Sequence, residues 1–126
     1  MPKHVPDLPG VEPGPYPFSQ IVEANGFVFL AGQVGDAPGS HGAVPGGIEA
    51  ETRAMLDNVE RLLRAAGLDY ADVVKCTVYL RDFGDFAAMN TVYREYFPTE
   101  PPTRATVGVT ALAADYAVEI ECMAAR

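Results

Sequence analysis

An Asn-Gly pair, Asn25 and Gly26, places the strongest local constraint on how this 126-residue chain can fold. These two residue types adopt the positive φ angles of a two-residue type I′ turn, and an apolar run lies on each side of them. The pattern predicts that residues 20–24 and 27–31 form a β-hairpin. The fold therefore contains an antiparallel pair of strands near its start.

The region before the hairpin holds six of the eleven prolines of the chain. Each proline fixes its own φ and biases the preceding residue away from helix. We therefore expect residues 1–17 to form an extended arm of a single domain that spans residues 1–126. Tyr16 and Phe18 are suitable aromatic anchors at the end of this arm.

The glycines and prolines between residues 32 and 47 predict an irregular connection with a short strand near Ala43 and Val44. Two helices follow from apolar residues at three- and four-residue steps. The first covers residues 48–66 and stops at Gly67. The second covers about residues 85–97 and is ended by a proline.

Alternating polar and apolar residues predict three more strands, over residues 72–81, 104–109 and 117–124. Two apolar helices and a sheet that follows this order can share one core. The sequence therefore predicts an α+β fold, with a mixed sheet of five to six strands and two helices packed on one face.

Two helices cover only one face of such a sheet, and strand parity sorts the side chains on the other. Glu119 and Glu121 alternate with the apolar residues of the last strand and point away from the helices. Parity also groups Arg104 with Thr106, and we place both on the uncovered face with Glu119. This face is either a solvated surface or a contact surface between copies of the chain. The residues assigned to it are Lys75, Thr77, Tyr79, Arg81, Arg104, Thr106, Glu119 and Glu121.

Composition excludes several classes of function. Seventeen acidic and nine basic residues give a net charge of −8, which opposes a broad phosphate-binding surface, so no nucleic-acid partner is expected. No apolar run of about twenty residues suggests a membrane span. Residues 1–8 lack the apolar core of a secretory signal. Cys76 and Cys122, the only cysteines, are too few for a disulfide scaffold, and we expect inert buried thiols in a reducing cytoplasm.

Two segments near the end of the chain, PTRATV at residues 102–107 and VEIE at residues 118–121, resemble the signature of the RidA (YjgF/YER057c/UK114) family. The similarity extends over nearly the whole chain, and the Arg…Glu spacing is its most specific part. The further matching segments are GPY at residues 14–16, AGQV at residues 31–34, LDNV at residues 56–59, AGL at residues 66–68, and Asp85-Phe86 with Asn90.

The resemblance implies a chorismate-mutase-like fold that assembles as a homotrimer, with active sites in the clefts between subunits. It also implies the hydrolysis of reactive enamines and imines, such as 2-aminoacrylate, to 2-keto acids and ammonia. It implies no metal and no organic cofactor. The expected small-molecule partner is therefore an imino or keto acid.

The resemblance assigns catalytic roles to two residues. Arg104 matches the substrate-binding arginine, and a guanidinium binds a carboxylate through two parallel hydrogen bonds. Glu119 matches the acid that orients water or acts as general base. The structural alternatives are an ion pair between Arg104 and a sheet glutamate, and a Glu119 that only neutralises Arg104.

Four more residues are candidate substrate contacts. Tyr16 matches an aromatic that packs against the substrate plane, or else it anchors an interface. Asn90 lies near the family site, or else it caps a helix or bonds the sheet. Thr106 stands where the best-known members often have Cys, so it contributes either its backbone carbonyl or an altered side chain. Ala31 stands where some members have Ser, which removes one hydrogen bond.

The sequence is compatible with three functions. The first is an imine/enamine deaminase with Arg104 and Glu119 as its catalytic pair. The second is a non-catalytic trimer that binds small carboxylates or a protein, which the departures at Thr106 and Ala31 would favour. The third is an endoribonuclease, which the net charge of −8 opposes.

Overall fold

The computed structural model describes residues 3–126, so Met1 and Pro2 of the predicted arm lie outside the described residues. The elements are β1 Ile21–Ala24, β2 Phe27–Leu30, β3 Gln33–Val34, α1 Gly47–Ala65, β4 Val73–Leu80, α2 Phe86–Tyr96, β5 Thr103–Gly108 and β6 Val118–Ala125. Short 3₁₀ turns at Tyr70–Asp72 and Phe83–Asp85 precede β4 and α2.

The strands form one six-stranded mixed sheet in the order β1-β2-β6-β4-β5, and β3 pairs with β6. Only the β4–β5 pairing is parallel among the described strand pairs, and α2 provides the crossover between these two strands. The predicted α+β sheet with two helices is confirmed. β5 forms one edge of this sheet.

Local sequence signals account for the ends of the elements. Asn25 and Gly26 have φ angles of 53° and 80°, as the predicted hairpin turn requires. Gly67 has a φ of 77° and follows α1, where its N–H bonds the carbonyl of Arg64. The hairpin and the stop of the first helix are therefore confirmed.

The core lies between the two helices and one face of the sheet. The fully buried stripe of α1 meets alternate residues of β2, β4 and β6 there, because each strand turns every second side chain toward the helices. Its most deeply buried members include Met55, Leu56, Leu63, Val28, Val78, Val118 and Ile120.

Two details of the predicted strands are wrong. The short strand is Gln33–Val34, which pairs with β6, whereas Ala43 and Val44 lie in the connecting loop. The pairing of β4 with β6 also shifts register between Val73 and Lys75. This irregularity inserts an extra residue, so Val73 is buried and Val74 is exposed, the reverse of simple alternation.

The placement of Arg104 and Thr106 on the uncovered face is also wrong. In the parallel pairing, Arg104 lies beside Cys76 and Thr106 lies beside Val78. Neighbours in a ladder point to the same face, and both partners are buried under the helices. Parity correctly groups Arg104 with Thr106, but it cannot tell which face an edge strand presents to the helices.

The described part of the arm, residues 3–17, contains no helix. His4 and Glu23 exchange backbone hydrogen bonds of 2.8 Å, so the arm pairs with the outer edge of β1. Within residues 3–126, neither helix has the length and apolar character needed to cross a membrane.

Candidate active site

Glu119 of β6 lines an open pocket of about 350 Å³ at the junction of β2, β3 and β6. Glu119 pairs with Val34 on one side and with Tyr79 on the other. Its side chain is therefore directed to the face of the sheet that the helices leave open. The other lining residues are Phe18, Ser19, Ala31 and Gly32.

Gly32 brings the backbone close to the Glu119 carboxylate. A Cβ atom at position 32 would lie 2.2 Å from Oε2 of Glu119, closer than any side chain permits. Gln33 stabilises this stretch of backbone, because its side-chain amide donates hydrogen bonds to the carbonyls of Ala31 at 3.1 Å and Gly32 at 3.2 Å. The absence of a side chain at position 32 therefore leaves room for the Glu119 carboxylate to lie against the backbone.

A buried glutamate fixes the start of β6, which carries Glu119. Oε2 of Glu51, on α1, accepts hydrogen bonds from the backbone N–H groups of Ala117 at 2.7 Å and Val118 at 3.3 Å. Burial raises the pKa of Glu51 and these hydrogen bonds lower it, with a net rise. These hydrogen bonds from α1 therefore help to set the position of Glu119, which is two residues after Ala117.

The environment of Glu119 disfavours its charged form. Partial burial raises the pKa of the Glu119 carboxyl, and the negative charge of Glu121 raises it further. Among residues 3–126, the ion pairs do not include Glu119. A carboxylate of raised pKa is a stronger base than an ordinary exposed glutamate, which suits it to polarise a water molecule.

Arg104 lies against the aromatic residues of α2. Its guanidinium carbon is 4.6 Å from the ring centroid of Tyr93 and 5.7 Å from that of Phe86. Each such cation–π contact stabilises the charge by about 0.5–2 kcal/mol. None of the ion pairs found in residues 3–126 uses Arg104, so no sheet glutamate of the same chain neutralises it. The guanidinium is half-buried and keeps its carboxylate-binding capacity.

Asn90 and Thr106 lie on the same side of the sheet as Arg104. Asn90 is four residues after Phe86 and three before Tyr93, so all three share one stripe of α2. Thr106 is two residues beyond Arg104 on β5 and shares its face. Three of the predicted site residues therefore cluster at the edge of the helix-covered face.

The predicted site residues thus form two separate groups within one chain. Glu119 and Ala31 line the pocket on the open face, whereas Arg104, Thr106 and Asn90 lie on the helix face. The expectation that Arg104 and Glu119 share one face is therefore wrong, and no ion pair joins them. Within a single copy of the chain, the sheet separates the two groups.

Tyr16 is not among the residues that line the pocket. Its ring stacks on Phe18, with centroids 6.3 Å apart and planes only 5° from parallel, and Phe18 lines the pocket. The sequence identified Phe18 only as an aromatic anchor of the arm, whereas the structure places it in the lining of the pocket.

Tyr93 and Gly32 also have roles that the sequence did not reveal. The ring of Tyr93 supports Arg104, a contact that depends on the parallel pairing of β5 with β4. Gly32 adjoins the carboxylate of Glu119. Among residues 3–126, no group of three or more His, Cys, Asp or Glu side chains is arranged to hold a metal ion.

A family model described as endoribonuclease L-PSP matches residues 12–126 of the chain. The chain is 43% identical over 110 residues to the 2-iminobutanoate/2-iminopropanoate deaminase of Capra hircus, which covers 87% of this chain and 80% of the relative. Several other relatives, at 40–42% identity, are also named as deaminases of this kind.

Solved structures give the same result. The crystal structure of RidA from an Antarctic Psychrobacter species matches with a TM-score of 0.88 at 30% identity, over 98% of this chain and 99% of that one. Escherichia coli TdcF, solved with bound serine, matches with a TM-score of 0.83 at 36% identity, over 90% of this chain and 91% of that one. The family model, the sequence relatives and the solved structures agree, and the chain belongs to the RidA (YjgF/YER057c/UK114) family.

Proposed function

We propose that this chain is a cytoplasmic hydrolytic deaminase that converts reactive 2-imino and enamino acids, such as 2-aminoacrylate, to 2-keto acids and ammonia. The observation that carries the proposal is a half-buried Arg104 guanidinium that rests on Tyr93 and has no carboxylate partner in its own chain. The deaminase relatives at 40–43% identity support the same reaction class.

Arg104 would bind the carboxylate of the substrate. A planar guanidinium forms two parallel charge-assisted hydrogen bonds with a carboxylate, which fixes both the position and the plane of the ligand. The aromatic rings of Tyr93 and Phe86 restrict the guanidinium before the substrate arrives, so less conformational entropy is lost on binding.

Glu119 would activate and orient the attacking water. Water adds its oxygen to the C=N carbon of the imine, and its proton passes to the Glu119 carboxylate. Glu119 returns this proton to the nitrogen, which completes the carbinolamine. The carbinolamine then collapses: its hydroxyl proton passes to the nitrogen, the C–N bond breaks, ammonia leaves, and the C=O bond of the keto acid forms. An enamine first takes a proton on its carbon to give the imine. In this scheme the pocket beside Glu119 holds the water.

The proposed site lies between subunits of a homotrimer. Arg104 and Glu119 face opposite sides of one sheet, so we place Arg104 of one subunit opposite Glu119 of the next. Exposed apolar residues on the open face support contact between copies, since such patches mark interfaces. Those exposed side chains are Phe27 at 41%, Phe29 at 43% and Val107 at 38%.

The remaining candidates would shape the same cleft. Phe18, stacked on Tyr16, would pack against the planar imine on the Glu119 side. Asn90 and Thr106 would contact the substrate on the Arg104 side. Ala31 gives the pocket wall an apolar surface where a hydroxyl would add a hydrogen bond.

The two alternative functions, a non-catalytic binding protein and an endoribonuclease, would require different properties of the site. A non-catalytic trimer would bind small carboxylates through Arg104 without turning them over. An endoribonuclease would have to hold phosphates beside Glu119 and Glu121, whose negative charges repel them. The charge argument therefore disfavours RNA cleavage despite the description of the family model.

The test is the release of keto acid from freshly generated 2-aminoacrylate. We expect the wild-type protein to exceed the spontaneous rate and Arg104→Ala to lower kcat/KM by about 10–150-fold, the loss expected for a charged hydrogen-bonding group. Arg61→Ala, which changes an exposed arginine of α1, serves as the matched control. A wild-type rate no faster than the spontaneous reaction, with keto acids still raising the Tm, would identify a binding protein instead.

Subunit mixing tests the position of the site. Arg104→Ala and Glu119→Gln are each expected to have strongly reduced activity alone, and co-refolding them in equal amounts should raise the activity above that of either variant. If each site takes its arginine and glutamate from different subunits, random assembly gives about a quarter of the sites both native residues. No recovery in mixed trimers would contradict a site shared between subunits.

A further inference from the structure

Two cysteines outside the pocket of Glu119 lie in contact on neighbouring strands of the sheet. Cys76 of β4 and Cys122 of β6 are direct partners in the antiparallel ladder, and their sulfur atoms lie 3.1 Å apart. Both are free thiols, with exposed fractions of 1% and 6%. The sequence predicted buried thiols but gave no sign that they are in contact.

The backbone geometry at this pair suits a disulfide. Residues directly opposite each other in antiparallel strands have Cα atoms about 4.5–5.5 Å apart, which lies inside the range that a disulfide spans. The two sulfurs need to approach by only about 1 Å to reach bonding distance. No strand has to move out of the sheet for the bond to form.

The two thiols differ in acidity. The hydrogen bond with Cys122 lowers the pKa of Cys76, and the positive charge of Arg104, its neighbour on β5, acts in the same direction. The same hydrogen bond, together with burial, raises the pKa of Cys122. Cys76 is therefore the more nucleophilic member, and Cys122 is the adjacent thiol that resolves its oxidised form.

We propose that Cys76 and Cys122 form a reversible redox site, which a small hydroperoxide converts to a cross-strand disulfide. The Cys76 thiolate attacks one peroxide oxygen, the O–O bond breaks, and hydroxide leaves, which gives a sulfenic acid. The Cys122 sulfur then attacks that sulfenic sulfur, the S–O bond breaks, and water leaves. Two thiols lose two electrons and two protons in total, and hydrogen peroxide is reduced to two molecules of water. The thiol reaction uses neither the deaminase substrate nor Glu119, and Arg104 contributes to it only through its charge beside Cys76.

Burial restricts which oxidants reach the pair. A small uncharged peroxide can enter during brief local openings of the structure, whereas a charged tripeptide disulfide such as oxidised glutathione requires a much larger opening. The same burial excludes partner proteins, so the bond forms within one chain. We expect hydrogen peroxide to oxidise the folded protein at least tenfold faster than oxidised glutathione at equal concentration.

The experiment treats the reduced, folded protein with hydrogen peroxide and then alkylates it under denaturing conditions. The expected result is the loss of both free thiols, a peptide pair joined by a bond and 2 Da lighter than the two reduced peptides, and recovery of both thiols with dithiothreitol. Because the chain has only two cysteines, no other thiol contributes to the count. Cys122→Ala is the matched variant and should accumulate oxygen on Cys76 without any linked peptide.

Three outcomes would overturn the proposal: two thiols that remain free after peroxide treatment, oxygen added to single cysteines of the wild type, or disulfides that link separate chains. If the alanine variant fails to fold, the thiol count and peptide linkage of the wild type still decide the question. Since neither measurement uses deaminase activity, failure here leaves the proposed reaction untouched, and an inactive protein leaves this test intact.

Discussion

Arg104 and Glu119 lie on opposite faces of one sheet, with only β4 between the strands that carry them. Arg104 rests on the rings of α2, and Glu119 lines the pocket beside Gly32. Each residue has the environment that its proposed role requires, but the sheet separates the two side chains within one chain. This arrangement is why the proposed function depends on assembly.

Gly32→Ala should reduce catalysis while it leaves the fold intact. The new Cβ would lie 2.2 Å from Oε2 of Glu119, and the flexible carboxylate would move away at little cost in stability. A displacement of about 1 Å at a reacting group lowers the rate by up to about 100-fold. Steady-state kinetics and thermal melting measure the two effects.

Gly35→Ala is the contrasting control for this change. A Cβ there would meet the backbone oxygen of Glu51 at 2.3 Å, and backbone cannot move aside as a side chain can. We expect a large loss of stability at Gly35 and almost none at Gly32. A Gly32→Ala protein with wild-type kcat/KM would show that the position of the carboxylate is unimportant.

The pH dependence of kcat/KM should report the raised pKa of Glu119. Because the carboxylate form is the base, activity should fall as pH decreases through this pKa, which lies above the ordinary value of 4.5. Glu121→Gln removes a neighbouring negative charge, so it should lower the pKa of Glu119 and move the acid limb to lower pH.

The glutamine at position 121 can still accept the 2.6 Å hydrogen bond from Tyr79, which makes the change conservative. If the fall of kcat/KM at acid pH occurs at the same pH in Glu121→Gln as in the wild type, a group other than Glu119 controls that fall.

Phe29→Asp should disrupt assembly without unfolding the chain. Phe29 is 43% exposed on the open face, opposite Met123 of β6, so its replacement costs the isolated fold little. In an interface, a buried carboxylate would be strongly unfavourable. We expect a folded monomer with no deaminase activity by light scattering, circular dichroism and kinetics.

Val5→Asp offers a matched change, because Val5 is 50% exposed but lies in the arm. It should leave both the assembly and the activity unchanged. If Phe29→Asp kept the wild-type mass in solution, the open face would not be the contact surface.

Tyr93→Phe and Tyr93→Leu should have different effects. The buried Tyr93 hydroxyl lies beside the Cys76 sulfur, a weak hydrogen-bond partner, and has no oxygen or nitrogen partner among the described residues, so its removal should change the free energy of unfolding by no more than about 1 kcal/mol. The phenyl ring would still support Arg104. Leucine removes the ring, and the lost cation–π contact should raise KM by about 2–30-fold.

Equal KM values for the Phe and Leu variants, both above wild type, would assign the effect to the hydroxyl instead of the ring. Urea unfolding of the same variants gives the free energy of unfolding for the comparison.

Local sequence patterns predicted the elements of the fold well. The Asn25-Gly26 turn, the stripe of α1 and its stop at Gly67 each depend on a few neighbouring residues, whose conformational preferences act within one turn of chain. The predicted short strand near Ala43 and Val44 was wrong, because a two-residue strand such as β3 depends on its partner β6 more than on its own sequence.

The sequence by itself identified the candidates for the proposed chemistry, which are the arginine and glutamate of the family signature, and it grouped Arg104 with Thr106 by strand parity. Only the tertiary structure decided which face of the sheet each of these side chains occupies. Parity has a period of two and leaves an edge strand free to present either set of side chains to the helices, until its register with β4 is fixed. Hydrogen bonding between distant strands made that choice, separated Arg104 from Glu119, and brought Cys76 against Cys122.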